Sequence, residues 1–334
     1  MAGPEGLAKP VTADPLVSVL LPVHNGGDHL QEAISSILNQ TYRHFELVII
    51  DDASTDLSYS VCRGFDDPRI VLLRNGANYG ISASLNRGLS IARGELIARI
   101  DADDLALPTR LEAQVNAFRL EPNLGLVGSW MQAFGERAFV SRYPVDSATI
   151  RLSTLFRTPF GHPSVMFRAR WLDGEKGYYN ENLPRAQDYE LWARIVRLWE
   201  CRNLPQVLTV YRMHPAQATK SRVTERESAV HSIAAKQRNF YGLPELPLDA
   251  TMIQIVRWWS RVERLLTARP GFEGAEFKTA RAEHLTLSFR TKVKRTLETL
   301  KILGCAVSVR NTIEVWVKTG MSEDENLWPR TKTR

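Results

Sequence analysis

Four short apolar runs, each followed by a helical pattern, constrain this chain more than any other feature. Val17–Pro22 reads VSVLLP and leads into the turn signal Asn25-Gly26-Gly27. Leu47–Ile50 ends at Asp51-Asp52, Ile70–Leu73 follows, and Leu96–Ile100 ends on Asp101. Runs of this length suit buried strands. Between them, Leu30, Ile34, Ile37 and Leu38 repeat at helical spacing, and Ser82–Ala92 reads as a further helix. Ser54, Thr55 and Asp56 are residues of helix-capping type. Pro108 stands where a first helical turn begins, with Leu111, Val115 and Phe118 continuing it. Strand and helix alternating over short connections predict an α/β parallel sheet. Such sheets bind ligands beyond the carboxyl ends of their strands. Asp51-Asp52 and Asp101–Asp104 fall at those ends.

After Glu121 the pattern changes. Leu124–Phe134 and Ser164–Phe167 read as strands with a helix at Ser147–Phe156 between them; Asp188–Trp199 reads as helix and Val207–Tyr211 as strand. These elements are expected to add antiparallel strands over the open edge of the sheet. Beyond His214 the chain reads as successive helices. Met252, Ile255, Val256, Trp259, Val262 and Leu266 form one apolar stripe. Phe289, Val293, Leu297 and Leu300 form another, flanked by Lys292, Lys294, Arg295 and Lys301. Residues 1–15 lack the apolar core of a signal peptide and read as a disordered leader. The organisation expected is that leader, an α/β domain over 16–215 with a change of pattern between its halves 16–120 and 121–215, and a helical extension over 216–334.

Cys62, Cys201 and Cys305 have no zinc-like spacing, which points to small buried thiols in a reduced, cytoplasmic setting. No run of 18 apolar residues occurs, so no transmembrane helix is expected. The net charge is +6, and from Lys220 onward 21 Lys and Arg face 13 Asp and Glu. A basic surplus favours contact with phosphorylated substrates, anionic lipid or nucleic acid without choosing among them. No nucleic-acid docking motif accompanies it, so no nucleic-acid partner is expected. The basic stripe around Phe289–Lys301 is read either as a packed helical cap or as a peripheral membrane contact. Trp258-Trp259 suits a core or an interface.

Asp101-Ala102-Asp103-Asp104 carries the chemistry most directly. Carboxylates at i and i+2 on an irregular loop can face one site, and hard divalent cations prefer such oxygen ligands. A metal held there would neutralise a departing diphosphate. The competing reading is a solvated loop, or a cap for the helix near Pro108. Asp52 at a strand end can accept the imide N–H of a uracil-type base. Asp56 is better read as a helix cap.

The residues together resemble family 2 glycosyltransferases. The run Ser18-Val-Leu-Leu-Pro22-Val-His-Asn25 is similar to the opening of that family. So are Gln40-Thr41-Tyr42 with Phe45-Glu46-Leu47, and Asp51-Asp52-Ala-Ser54-Thr55-Asp56. Asn78-Tyr-Gly80-Ile-Ser82 and Asn86-Arg-Gly88 are similar to its nucleotide-side helix. Ala92-Arg-Gly94-Glu95 leading to Arg99-Ile-Asp101-Ala-Asp103-Asp104 is similar to its D-x-D block. His162-Pro-Ser164-Val-Met166-Phe-Arg168 and Gln187-Asp188-Tyr-Glu190-Leu-Trp192 are similar to its acceptor-side blocks, and Tyr211-Arg212-Met-His214 to its last common segment. The match is ordered and runs from Val17 to His214.

The resemblance implies a GT-A fold, a Rossmann-like, mostly parallel sheet with helices on both faces, whose catalytic domain over 16–215 has a nucleotide-sugar-binding half, 16–120, and an acceptor-side half, 121–215. It implies inverting transfer from a nucleotide-diphosphate sugar, a UDP-sugar in the first instance, to a glycan or lipid-linked acceptor in surface polysaccharide synthesis. Pro22, His24, Asn25, Asp52, Asn78, Gly80, Asn86, Arg99 and Asp101 would bind the nucleotide sugar. Asp103 and Asp101 would hold Mn2+ or Mg2+, with His214 as a further ligand. Asp188 would be the general base, although a carboxylate opening a helix also stabilises its N-terminus. His162, Gln187, Glu190 and Trp192 fall in the acceptor-side blocks. Arg99 and Glu190 are equally readable as partners of neighbouring charges. Two other functions stay open. A sugar-phosphate nucleotidyltransferase would want a Gly-rich triphosphate loop where Pro22-Val-His-Asn25 stands. A non-catalytic membrane or nucleic-acid module would not need the acidic blocks.

Overall fold

A computed structural model describes residues 10–170, 177–214, 223–245 and 252–281. The first half runs β1 (Val17–Val23), α1 (Leu30–Leu38), β2 (Phe45–Asp51), α2 (Ser58–Arg63), β3 (Ile70–Arg74), α3 (Ile81–Ile91) and β4 (Leu96–Arg99). The strands lie in the order β3-β2-β1-β4 and all pair in parallel. β1 is flanked by β2 on one side and β4 on the other, so the chain reverses its progress across the sheet there. Such a reversal opens a crevice outside the carboxyl ends of the strands.

The continuous apolar runs follow from burial on both faces. Val17, Val19, Leu21 and Val23 of β1, with Leu47 and Ile49 of β2, join one core with Leu30 and Ile34 of α1. Leu20, Val48 and Ile50 point the other way and pack with Leu85 and Leu89 of α3. The one polar member of β1, Ser18, is fully buried and donates to Glu46 Oε1 (2.6 Å). Burial works against ionisation of Glu46. The Ser18 hydroxyl and the N–H and guanidinium of Arg93 outweigh it and hold the carboxyl below its ordinary range.

The second half adds β5 (Leu105–Ala106), α4 (Arg110–Leu120), β6 (Leu124–Gly135), β7 (Phe139–Ser141), α5 (Ser147–Ser153), β8 (Met166–Arg168), α6 (Gln187–Leu198) and β9 (Glu200–Met213). β8 extends the sheet antiparallel to β4, and β6 is antiparallel to β8. The expectation of antiparallel strands over the open edge therefore holds for β8, whereas the long β6 and β9 pair in parallel. Only Val207–Tyr211 of β9 is legible in the sequence, because its first half, ECRNLPQ, is polar and partly exposed. Ser164 was expected in a strand. It closes a 3-10 turn at His162–Ser164 instead, since Pro163 has no N–H to pair and the Ser164 hydroxyl turns back to Gly161 O (2.9 Å). α5 stops at Ser153, where the Thr154 carbonyl accepts from the Tyr189 hydroxyl (2.7 Å).

α7 (Val223–Phe240) and α8 (Met252–Leu266) bear out the helical reading beyond His214 within the described residues. Trp258 and Trp259 are core residues, with Trp259 stacked on Phe156 at 5.0 Å. The basic stripe Phe289–Lys301 and Cys305 lie outside the described residues. No helix among the described residues is long and apolar enough to cross a membrane. Residues 10–15, expected to belong to a disordered leader, are anchored. Thr12 N–H donates to Glu95 (3.0 Å), the Tyr42 hydroxyl donates to Pro15 O (2.6 Å), and Val11 enters the core. The anchors are a tyrosine and a glutamate far along the chain, which no local pattern reveals.

Candidate functional site

The carboxyl ends of β1 and β2 are knitted together by short polar side chains. Asn25 accepts on Oδ1 from Thr55 N–H (2.9 Å), and its own N–H donates to Ser54 Oγ (3.0 Å). Asp56 receives the N–H groups of Ser58 (2.9 Å) and Gly27 (3.2 Å), so it ties two loops besides serving the start of α2. His24 Nδ1 lies 2.8 Å from the Asp52 carbonyl, and Pro22 is the penultimate residue of β1. Asp52 itself is 3% exposed. Its Oδ1 accepts from Asn75 Nδ2 (2.7 Å) and Tyr79 N–H (2.9 Å), and its Oδ2 from Gly80 N–H (2.8 Å). A carboxylate offers about four acceptor positions, so one on Oδ2 remains. Gly80 holds φ +88°, a conformation that favours glycine, and Asn78 Oδ1 accepts its N–H as well (3.1 Å).

The acidic loop 101–104 is bracketed by β4 and β5. β5 is pinned to the end of β9 by the pairing of Leu105 with Val210. That pairing brings Arg212 and His214 onto the loop. Arg212 N–H donates to Asp104 Oδ1 (3.0 Å), and its Nε donates to Asp103 O (3.1 Å). His214 Nε2 meets Asp103 Oδ2 at 2.9 Å. Arg212 continues outward to Glu32 on α1. Asp101 is gripped through both oxygens by the buried guanidinium of Arg99. Beneath them Arg110 is also fully buried. It donates to Arg99 O (2.7 Å) and Val165 O (3.2 Å), and burial, with the nearby Arg99 charge, pulls its pKa down to about 9.

Carboxylate oxygens of Asp101, Asp103 and Asp104 lie within 4.8 Å of one another. Burial and mutual repulsion push the carboxyl of Asp104 well up; burial likewise raises Asp101, against the pull of Arg99. This crowding of oxygen donors is what a hard divalent cation would relieve, so the residues present fit Mn2+ or Mg2+. Asp103 and Asp101 are each about a quarter exposed, but Arg99 grips both oxygens of Asp101, whereas Asp103 meets His214 through Oδ2, so Asp103 is the freer candidate ligand. Asp104 is fully buried and serves Arg212, in keeping with a supporting role.

Asp188 lies in the first turn of α6, within electrostatic reach of Asp101. The residue at the cap position is Ala186, in a left-handed conformation (φ +57°). Asn25 and Ala53 are the other non-glycine residues with positive φ among those described. All three therefore flank candidate site residues, where such strain concentrates. Burial raises the pKa of Asp188, while the Tyr189 N–H and the cations Arg99 and Arg226 restrain the rise.

The acceptor-side residues divide. His162, pushed well below its ordinary pKa by burial and by Arg99, contacts the Tyr179 hydroxyl through Nε2 (3.0 Å). Trp192, expected on the acceptor side, is fully buried and packs beneath His162 (5.9 Å) and Tyr179 (6.5 Å). It can support His162 and Tyr179 but does not reach the surface. Glu190 pairs with Arg194 one turn on (2.9 Å), so its charge is used locally. Gln187 opens α6 beside Asp188 and is partly exposed. Asn86, expected to serve the nucleotide, spends its amide on the Tyr179 backbone. It accepts from Tyr179 N–H (2.8 Å) and donates to Tyr179 O (2.9 Å), strapping the two halves of the domain together. Tyr179 and Arg110 also belong to this region, and nothing in the sequence marks them out. Both act through contacts more than ten residues away, without a local signature.

The Glycosyl transferase family 2 profile matches residues 18–172. An uncharacterised glycosyltransferase of Haemophilus influenzae is 31% identical over 255 residues, covering 72% of this chain and 79% of that protein. The O-antigen biosynthesis glycosyltransferase WbnJ of Escherichia coli is 31% identical over 238 residues, covering 65% of this chain and 87% of that protein. The mannosyltransferase PcManGT from Pyrobaculum calidifontis, solved in complex with GDP-Man and Mn2+, superposes with a TM-score of 0.57 at 20% identity. That superposition covers 93% of this chain and 81% of the other, a likeness of fold.

Proposed function

The chain belongs to glycosyltransferase family 2, and from that premise we propose that it transfers a sugar from a nucleotide-diphosphate donor to a hydroxyl of a glycan or glycolipid acceptor. The acceptor belongs to surface polysaccharide assembly, and the transfer inverts the anomeric carbon. The observation that carries this reading is the convergence of Asp52, the acidic loop 101–104 and Asp188 at one end of the sheet, on elements that pair or pack independently.

The base lies against Pro22, His24 and Asp52. The acceptor position left on Asp52 Oδ2 suits the imide N–H of uracil, so a uridine donor is the first expectation; guanine N1–H offers the same chemistry. Arg99 fixes the Asp101 carboxylate, whose remaining lone pairs can take a ribose hydroxyl or a metal. Asp103, with Asp101 and His214, would hold Mn2+ or Mg2+, which when bound supplies charge neutralisation to the leaving diphosphate. Asp188 takes the proton of the acceptor hydroxyl as that oxygen attacks the anomeric carbon. Its raised pKa makes it a stronger base than an exposed aspartate. Attack from the face opposite the diphosphate inverts the configuration. The neutral His162 and Tyr179 form a wall beneath the acceptor side.

The test is a screen of nucleotide sugars, with Mn2+ or Mg2+, read by donor hydrolysis and thermal stabilisation. At least one donor should stabilise the native protein and be turned over. Asp103→Ala should lose both effects while keeping its fold. Normal turnover by that variant would refute the assignment of the acidic loop. Pyrophosphate release from a nucleoside triphosphate and a sugar phosphate would point instead to nucleotidyl transfer.

A further inference from the structure

α6 and α7 lie side by side. Ala186, Tyr189 and Ala193 share an apolar cluster with Val230, Ile233 and Ala234. At the far end Arg197 Nε donates to Gln237 Oε1 (2.7 Å). The two helices therefore run in the same direction, and the pair Arg197–Gln237 sets their register. Eleven residues make about three turns of helix. Counting back that far from each partner returns to the same face and arrives at Ala186 on one helix and Arg226 on the other. Ala186 is the cap of α6, two residues before Asp188.

Arg226 is exposed and, among the described residues, makes no hydrogen bond or ion pair. Its charge nonetheless reaches Asp188 and favours the ionised carboxylate. A guanidinium paired directly with Asp188 would block the base. One held nearby and unpaired keeps a planar fork of five donors free for a third party. The third party must lie where the acceptor presents its hydroxyl to Asp188, and a fork of this kind matches a phosphate or carboxylate oxyanion.

We propose that Arg226 is an acceptor-binding residue that takes an oxyanion carried by the acceptor next to its reacting hydroxyl. This places a residue of α7, beyond the segment that resembles the family, in the choice of acceptor. It rests on the glycosyltransferase reading and extends it to the chemical class of the acceptor, a phosphate-bearing or uronic-acid-bearing one.

The test uses the full chain saturated with Mn2+ and UDP or GDP, whichever binds, so that the donor subsite is filled. Phenyl phosphate, phenyl glucuronide and the neutral phenyl glucoside are then titrated by calorimetry. At least one anionic probe should bind about tenfold or more tightly than the glucoside, as expected for charge-assisted hydrogen bonds. Which one does so separates phosphate from carboxylate. Arg226→Gln should erase the preference and Arg226→Lys should keep part of it, with nucleotide affinity unchanged in both. Equal binding of all three probes to the native protein, or a preference that survives Arg226→Gln, overturns the proposal. Failure of the underlying reading is distinct, because the native protein would then bind neither UDP nor GDP.

Discussion

His214 and Asp103 stand 2.9 Å apart, Nε2 to Oδ2, although 111 residues of chain separate them. Two ligands of one metal ion would have to meet in this way, and the pairing of β5 with β9 brings these two side chains together. His214→Ala should weaken Mn2+-dependent nucleotide binding by about tenfold or more. Thermal stability without metal should change little, because both side chains are more than a quarter exposed. Calorimetric titration of Mn2+ in the presence of nucleotide checks this; an unchanged metal affinity would remove His214 from the ligand set.

Partial burial raises the Asp188 carboxyl above the ordinary 3.8 in the folded protein. Ionising it therefore opposes folding. Below the unfolded value both states are protonated, so Asp188→Asn and the native protein should melt alike. As pH rises through the folded pKa, the native protein loses stability relative to the variant. At neutral pH Asp188→Asn should accordingly melt a few degrees higher, yet transfer at least about a hundredfold more slowly. Melting curves from pH 3.5 to 8, beside rates at pH 7, give both readings.

Asp52 restrains the loop between β3 and α3 through three hydrogen bonds. Asp52→Ala leaves those donors unpaired and should cost about 2–4 kcal/mol. Hydrogen exchange at the Tyr79 and Gly80 amides should speed up well before global unfolding, and the donor KM should rise. If those amides stay protected, the carboxylate is not what orders the loop.

Gly94 has no room for a side chain. A Cβ there would stand 2.5 Å from Ser18 N and 2.8 Å from Leu96 O, both backbone atoms that cannot step aside. Gly94→Ala should destabilise by about 1–3 kcal/mol and separate the start of β4 from β1. Chemical denaturation measures the loss, and a variant as stable as the native protein would contradict the close packing of these strands.

Much of the donor side was legible in the chain. Apolar runs closing on Asp52 and Asp101 predict strands with carboxylates at their ends, because burial on both faces demands unbroken hydrophobicity and the crevice lies where those strands stop. Asp188 was readable only through its resemblance to a family block. A carboxylate opening a helix looks the same whether it caps or catalyses, and only the structure shows that Ala186 occupies the cap position. Local patterns describe a residue's own strand or helix, so they shorten β9, leave the anchoring of residues 10–15 unseen and do not show that Trp192 is enclosed. Each of those depends on partners remote in the chain. Sequence by itself determined the sheet, its carboxyl-end acidic residues and the chemistry they can perform. Tertiary structure alone decided that β9 returns His214 to Asp103, that Asn86 straps Tyr179, and that α7 brings Arg226 within electrostatic reach of Asp188. Long-range pairing sets these meetings, and no periodicity along the chain encodes them.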